Sequence, residues 1–189
     1  MGNLGPNDLM TPAFQANLAS AVTCVAGLLG PCSDSPASEP FAVVCDGEPL
    51  QIPVRIYGPV LSDATFAALP PLEQAITACW FTRHHDGYVR ERFLRALTAF
   101  DSPWLIAYVV AVSGDYVVEI ISYIWENRSL FDRPALGRWL RENAAFFSKT
   151  RSRIVSYWDC YYRSSSPDFE DYVGGRLIAF FEKCTVDAR

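Results

Sequence analysis

The chain has 189 residues, half of them hydrophobic, and a formal net charge of −5 at pH 7. A chain of this length and composition can bury a sizeable core, which excludes disorder throughout. Because lysines and arginines form no cluster, the chain is a poor electrostatic match for nucleic acid or for anionic lipid, and we expect it to bind neither.

The first predicted element is a short buried helix over residues 18–30, "LASAVTCVAGLLG". No positive charge precedes it, as one would in a secretory signal. No apolar run in the chain approaches the roughly 18 residues that a membrane span needs. The sequence therefore predicts neither a signal peptide nor a membrane-spanning helix.

Residues 30–59 hold six of the thirteen prolines, together with several serines, aspartates and glycines. Proline fixes φ and removes a backbone donor, so this stretch is predicted to run extended over a surface. Its segments "FAVVC" (41–45) and "IPVRIY" (52–57) are candidate short strands or polyproline segments, with one side laid against the helices. We assign residues 1–60 to an N-terminal helix followed by this extended arm.

Helical spacing begins near residue 63, and prolines then recur regularly at Pro71, Pro103, Pro134 and Pro167. Each stands where a new apolar-periodic segment starts, and proline is tolerated in the first turn of a helix. A near-constant period of this length indicates stacked supersecondary units. The predicted units are helix pairs over 70–85 and 88–100, 102–113 and 116–131, and 133–149 and 150–163, with a terminal half unit over 166–184.

The segment "DGYVRERFLRAL", residues 86–97, resembles the second helix of a HEAT-type repeat. The resemblance rests on Asp86, on the pair Val89 and Arg90, and on the following leucines. Residues 114–124, "GDYVVEIISYI", repeat the pattern with Val118 where the arginine would stand, and the third unit keeps less of it. The resemblance covers roughly residues 70–185, and it implies a right-handed superhelix whose concave wall holds other proteins.

These observations predict an all-α fold: a short right-handed α-α solenoid of HEAT-like helix pairs over residues 61–189, preceded by the extended arm. The expected function is a non-enzymatic scaffold or adaptor in the cytoplasm that binds a partner protein and needs no cofactor. The partner surface is expected on the second helices, because tyrosine and arginine carry much of the binding energy at protein interfaces. Its candidate residues are Tyr88, Arg92, Arg95, Tyr116, Glu119, Tyr123, Arg153 and Tyr157.

The only histidines are the adjacent His84 and His85, followed by Asp86. Neighbours on a helix point about 100° apart, so the two cannot chelate one metal as residues i and i+4 do. We expect no metal site here. Arg83, His84 and His85 are instead predicted to occupy the last turn of one helix, with Asp86 capping the next helix. Arg90 is expected to pair within the chain, with Asp86, Asp115 or Glu119.

Aromatic residues accumulate towards the C-terminus, where Tyr157, Trp158, Tyr161 and Tyr162 cover more than half of a helix circumference. Some of them are therefore expected to be exposed, covered by the N-terminal arm, or covered by a second copy in a homodimer. The six cysteines show no metal-binding spacing and predict free buried thiols in a reducing compartment. A Cys24–Cys32 or Cys32–Cys45 bridge is the alternative in an exported form.

Two other functions fit the same residues. A small metal-dependent hydrolase would centre on His84, His85 and Asp86. A catalytic triad of Cys79, His85 and Asp86 is a separate alternative that only the fold could assemble. The chain shows no linear Ser-His-Asp or GxSxG pattern, so no catalytic residue is predicted. An immunity or inhibitor-like protein that blocks a toxic enzyme would also suit a compact acidic chain.

Overall fold

The computed structural model describes residues 5–35 and 38–187, in which ten α-helices and two small two-stranded antiparallel sheets occur. The prediction of a mainly helical protein is confirmed. Over these residues the chain divides into two compact units between Leu97 and Thr98. The proline-rich segment and the first helix pair thus belong to one unit. The solenoid arrangement, and the division into an arm over residues 1–60 and a repeat domain over 61–189, stay predictions.

The helices of the first unit are α1 (Pro6–Met10), α2 (Ala19–Leu28), α3 (Asp63–Ala67), α4 (Pro71–Phe81) and α5 (Gly87–Arg95). Helix α2 confirms the short helix predicted over residues 18–30. Its buried residues include Val22 and Val25, and the helix packs against α4. The pair formed by α4 and α5 is the first predicted helix pair, and its two helices contact each other.

The strands of this unit are β1 (Ser33–Asp34), β2 (Phe41–Cys45), β3 (Glu48–Ile52) and β4 (Ile56–Tyr57). Strands β2 and β3 form a hairpin that turns at Asp46 and Gly47, with φ of 52° and 79°. Positive φ at both turn residues is what a two-residue hairpin with a type I′ turn requires. The predicted strand over 41–45 is confirmed.

The second predicted strand, over residues 52–57, is wrong as a single element. Ile52 ends β3, and β4 pairs with β1 in a separate sheet. Pro53 lies at the break, and proline cannot donate to a strand ladder. Strand β4 then meets the residues after α4: the amide of Ile56 donates to the carbonyl of Arg83 and the amide of His85 donates to the carbonyl of Ile56, both at 2.9 Å. The extended segment does lie against the helices of its own unit.

The second unit contains α6 (Pro103–Ser113), α7 (Val118–Glu126), α8 (Arg133–Glu142), α9 (Ala144–Tyr157) and α10 (Val173–Asp187). A π-helical turn, Trp158–Tyr162, continues α9. Helix α6 has no polar side: all its residues from Trp104 to Ser113 are buried. It contacts α7, α8 and α9, while α10 packs against α7, α8 and α9. Helix α6 thus provides the centre of the apolar core of this unit.

Three of the four helix starts predicted from the regularly spaced prolines agree with the structure. Pro71 and Pro103 are the first residues of α4 and α6, and Pro134 is the second residue of α8. The start predicted at Pro167 is wrong, because α10 begins at Val173. The carbonyl of Asp168 accepts hydrogen bonds from amides three and four residues later, which closes a turn before the helix.

The break inside the third helix pair is also placed differently from the prediction. We expected one helix over 133–149, whereas α8 ends at Glu142 and α9 begins at Ala144. The single junction residue, Asn143, leaves the helical conformation with φ −110° and ψ 36°. Its amide and its side chain both donate to the carbonyl of Trp139, at 2.9 and 3.0 Å. An asparagine at the end of a helix can donate to carbonyls that have no partner within the helix. The apolar spacing continues on both sides of Asn143, so the sequence pattern gives no sign of the break.

All six cysteines lie in the described part of the chain and are free, so neither alternative disulfide is formed. Four of them, Cys32, Cys45, Cys79 and Cys184, are buried, whereas Cys24 and Cys160 are exposed.

Candidate functional site

The corner between α4 and α5 contains the histidine pair. Helix α4 ends at Phe81, so Arg83, His84 and His85 follow the helix, and their predicted place in its last turn is wrong. The predicted cap is confirmed: the Asp86 carboxylate accepts a hydrogen bond from the amide of Tyr88 at 2.8 Å. This cap starts α5 immediately after the corner.

His84 is a buried histidine with both ring nitrogens bonded to backbone. Its Nδ1 accepts from the amide of Asp86 at 3.1 Å, so its Nε2 carries the proton and donates to the carbonyl of Gly58, also at 3.1 Å. Burial lowers the pKa of His84 below its usual value, and this outweighs the hydrogen bond to Gly58, which acts in the opposite direction. As folded, neutral His84 offers no nitrogen to a metal or to a substrate proton.

His85 and Cys79, the other candidate residues for hydrolase chemistry, have different surroundings. His85 is exposed and stacks on Tyr57, with ring centroids 4.9 Å apart. Cys79 is buried inside α4, and burial raises its thiol pKa well above the usual value. A protonated buried thiol is a poor nucleophile. Within residues 5–35 and 38–187, no three metal-ligating side chains come together.

Two arginines are buried in the same unit, and each donates to backbone carbonyls. Arg83 donates to Pro53 and Val54, at 3.0 and 2.5 Å, and so holds the proline-rich segment. Arg90 donates through Nη1 to the carbonyls of His84 and His85, at 2.9 and 2.8 Å. Arg90 therefore bonds within the chain, here to carbonyls of the corner. Its predicted pairing with Asp86, Asp115 or Glu119 stays a prediction.

Three of the predicted partner-binding residues lie on α5. Tyr88 is 85% exposed at the start of the helix. Arg92 forms an ion pair with Asp63, and Arg95 forms one with Glu91 at 2.9 Å. Both arginines are exposed, so these pairs hold their side chains only weakly.

The remaining five predicted residues belong to the second unit. Tyr116 precedes α7, Glu119 and Tyr123 lie on α7, and Arg153 and Tyr157 lie on α9. The structure brings Tyr116 and Tyr157 together in an edge-to-face contact, with centroids 6.0 Å apart. Glu119 is exposed, and Tyr123 and Arg153 are half-buried.

The contact between Tyr116 and Tyr157 belongs to a larger group that we call the tyrosine cluster: Tyr116, Tyr157, Tyr161, Tyr162 and Tyr172. Successive rings lie 6.2 Å (Tyr157 to Tyr161), 6.4 Å (Tyr161 to Tyr162) and 5.4 Å (Tyr162 to Tyr172) apart. The Tyr162 hydroxyl donates to the carbonyl of Tyr116 at 2.5 Å, which ties the end of α9 to the start of α7. Tyr161 is 63% exposed and Tyr116 is 44% exposed, so the cluster presents aromatic surface to solvent.

Tyr161 and Tyr162 lie in the π-helical turn that follows α9. An i→i+5 turn is wider than an α turn, and such turns occur often at functional sites. Burial raises the pKa of Tyr162, and the charges of Glu119 and Asp115 raise it further, so the hydroxyl stays protonated as a donor. The sequence predicted that some of these aromatic residues are exposed, or are covered by the N-terminal arm or by a second copy. The predicted partner surface does not include Tyr161 or Tyr162, and the apolar spacing gives no signal for the π-helical turn that contains them.

Among the described residues, no helix combines the length and the hydrophobicity needed to cross a bilayer. Comparison of the chain with protein-family models, with curated proteins and with solved structures found no match in any of the three.

Proposed function

We propose that the chain is a non-enzymatic protein-binding module, built from helix pairs that resemble HEAT repeats, which acts in the cytoplasm as a scaffold or adaptor. The observation that carries this proposal is the tyrosine cluster. Tyrosine adds large contact area at little cost in side-chain entropy, and it is enriched among residues that dominate binding energy. A partner protein would contact Tyr116 and Tyr161, with Glu119 beside them.

The hydrogen bond from Tyr162 to Tyr116 supports this assignment, because it orders the cluster before any partner arrives. A surface that is already rigid loses less entropy when it binds. The corner of His84 and His85, by contrast, uses the ring nitrogens of His84 for backbone bonds, so that histidine supports the fold of the first unit. This arrangement favours a binding role over chemistry at that corner.

The test is affinity enrichment from native lysate with the full chain, read by quantitative mass spectrometry and followed by calorimetry with the purified partner. We expect Tyr161→Ser to lose the enriched protein and to weaken its binding by at least about tenfold. The comparison variant is Tyr88→Ser, which removes an exposed tyrosine of α5 that is also a predicted partner-binding residue; we expect this variant to retain the enriched protein.

The comparison variant separates the two parts of the predicted surface. Loss with Tyr88→Ser but not with Tyr161→Ser would move the binding surface to α5, where Arg92→Glu and Arg95→Glu would test it further. An enriched protein that both variants retain would contradict the tyrosine cluster and the α5 surface alike.

A further inference from the structure

One exposed face of α9 has no role in the tyrosine cluster. It borders a shallow groove of about 520 Å³. The lining residues are Ser148, Arg151, Ser152, Val155, Ser156, Trp158 and Asp159. Val155 is 41% exposed at the middle of this set, although it is a large apolar residue on a helix. We call this surface the Val155 face.

The spacing on the Val155 face is that of a helix-pairing seam. Ser148, Ser152, Val155 and Asp159 follow one another at intervals of four, three and four residues. Residues at these intervals lie on one side of a helix and form the contact stripe when two helices pack side by side. Two serines in the stripe keep the side chains short, so that a second helix can approach closely.

The charges of the Val155 face are arranged symmetrically about Val155. Arg151 lies four residues before it on α9, and Asp159 lies four residues after it, in the π-helical turn that continues the helix. Each is therefore about one helical turn away. If an identical helix lies antiparallel across Val155, Arg151 of one copy stands opposite Asp159 of the other, and the reverse holds at the opposite end. A twofold contact requires such self-complementarity.

We infer that the Val155 face is the contact between two copies of this chain, which pair through antiparallel α9 helices with Val155 at the twofold axis. The inference is independent of the proposed partner-binding function, because the tyrosine cluster uses other residues. A second copy accounts for the exposed valine, the short side chains and the opposite charges together.

The charged residues of the face already have partners within the chain. Arg151 pairs with Glu182 at 3.2 Å, and Asp159 pairs with Arg163 at 2.8 Å. All four side chains are about half exposed, and exposed pairs contribute little to stability. These side chains can therefore also pair with a second copy. At each end of the contact, Arg151 and Glu182 of one copy would then meet Asp159 and Arg163 of the other.

The experiment measures the mass of the full chain in solution by sedimentation equilibrium over a range of concentrations. We expect the wild type to dimerise, and Arg151→Glu or Asp159→Arg to raise the dissociation constant by about tenfold or more, since each reversal places like charges together at both ends. Mixing the two variants restores attraction at both ends, so the mixture should dimerise about as tightly as the wild type.

Arg176→Glu is the matched control, because it reverses another half-exposed arginine paired with an acid on the same unit. It should dimerise like the wild type. Thermal unfolding of each variant checks that the fold is intact, and recovery on mixing cannot come from misfolded chains. A monomeric wild type, a dimer that resists both reversals, or a mixture that stays monomeric would each overturn the inference.

Discussion

The hydroxyl of Tyr162 donates to the carbonyl of Tyr116 at 2.5 Å, and the two residues are 46 positions apart in the chain. This bond joins the π-helical turn after α9 to the segment before α7, and it holds the exposed part of the tyrosine cluster in place. Tyr162→Phe should therefore destabilise the protein by about 1 kcal/mol, the typical net contribution of one hydrogen bond. Urea unfolding at constant pH measures the difference.

Tyr172→Phe is the natural comparison, because the buried hydroxyl of Tyr172 has no hydrogen-bond partner among the described atoms. Removing a hydroxyl that is already unsatisfied should leave stability unchanged or increase it. Equal destabilisation by the two substitutions would contradict the assigned hydrogen bond.

A second prediction concerns the pH dependence of stability at His84. Burial lowers its pKa below the usual value of 6.5, so the folded state binds fewer protons than the unfolded state. The stability that His84 contributes is then complete above about pH 6.5 and is lost as the pH falls through the folded pKa. His84→Gln should flatten the fall in stability between about pH 7 and pH 5.5, as denaturant unfolding at several pH values would show.

His85→Gln is the comparison variant, because it removes the neighbouring ring, whose charge is a smaller cause of the lowered pKa of His84 than burial is, and leaves the backbone bonds of His84 in place. This variant should keep most of the fall in stability that His84→Gln removes. If His84→Gln and the wild type lose stability equally on acidification, the assignment of a neutral buried imidazole is wrong.

The third prediction compares a buried and an exposed arginine on α5. Arg90→Met keeps a long apolar side chain but leaves the carbonyls of His84 and His85 without their guanidinium donor. Losing both bonds should cost about 3 kcal/mol or more. Arg95→Met removes an exposed pair with Glu91 and should change stability by less than about 0.5 kcal/mol. Chemical unfolding of both variants gives the comparison, and equal effects would be the contrary result.

The fourth prediction uses two helical glycines. A Cβ at Gly175 would lie 2.0 Å from the carbonyl oxygen of Phe169, so backbone must move, and Gly175→Ala should cost about 2 to 4 kcal/mol. A Cβ at Gly27 meets nothing within 4 Å, and Gly27→Ala in α2 should stabilise the protein by about 0.5 to 1 kcal/mol. Opposite shifts in melting temperature would confirm the contrast, and shifts of the same sign would refute it.

Local signals in the sequence predicted much of the helical content. Pro71 and Pro103 marked helix starts, because a backbone N–H in the first turn of a helix has no partner within the helix. Asp86 marked a helix cap, because its carboxylate can accept a hydrogen bond from an unpaired amide of the first turn. The hairpin between β2 and β3 has a local signal as well. Asp46 followed by Gly47 between apolar stretches is typical of a two-residue turn.

The candidate site was less predictable, because its geometry depends on exceptions to regular helix. Asn143 ends a helix inside a continuous apolar pattern, and the π turn widens α9 where the spacing of its aromatic residues suggests nothing unusual. The bond between Tyr162 and Tyr116 joins residues 46 positions apart, and Tyr162 lies in the π turn. Spacing along a single helix carries no information about such contacts between distant segments.

Helix α6 is apolar on every side, and this has a consequence for synthesis of the protein. Its neighbours α7, α8 and α9 all follow it in the chain, so α6 leaves the ribosome before any of them can cover it. Until these helices pack against α6, the stretch from Trp104 to Val112 exposes apolar surface on which other nascent chains can aggregate. The second unit should accordingly form in one cooperative step, and chains that stop short of α9 should aggregate.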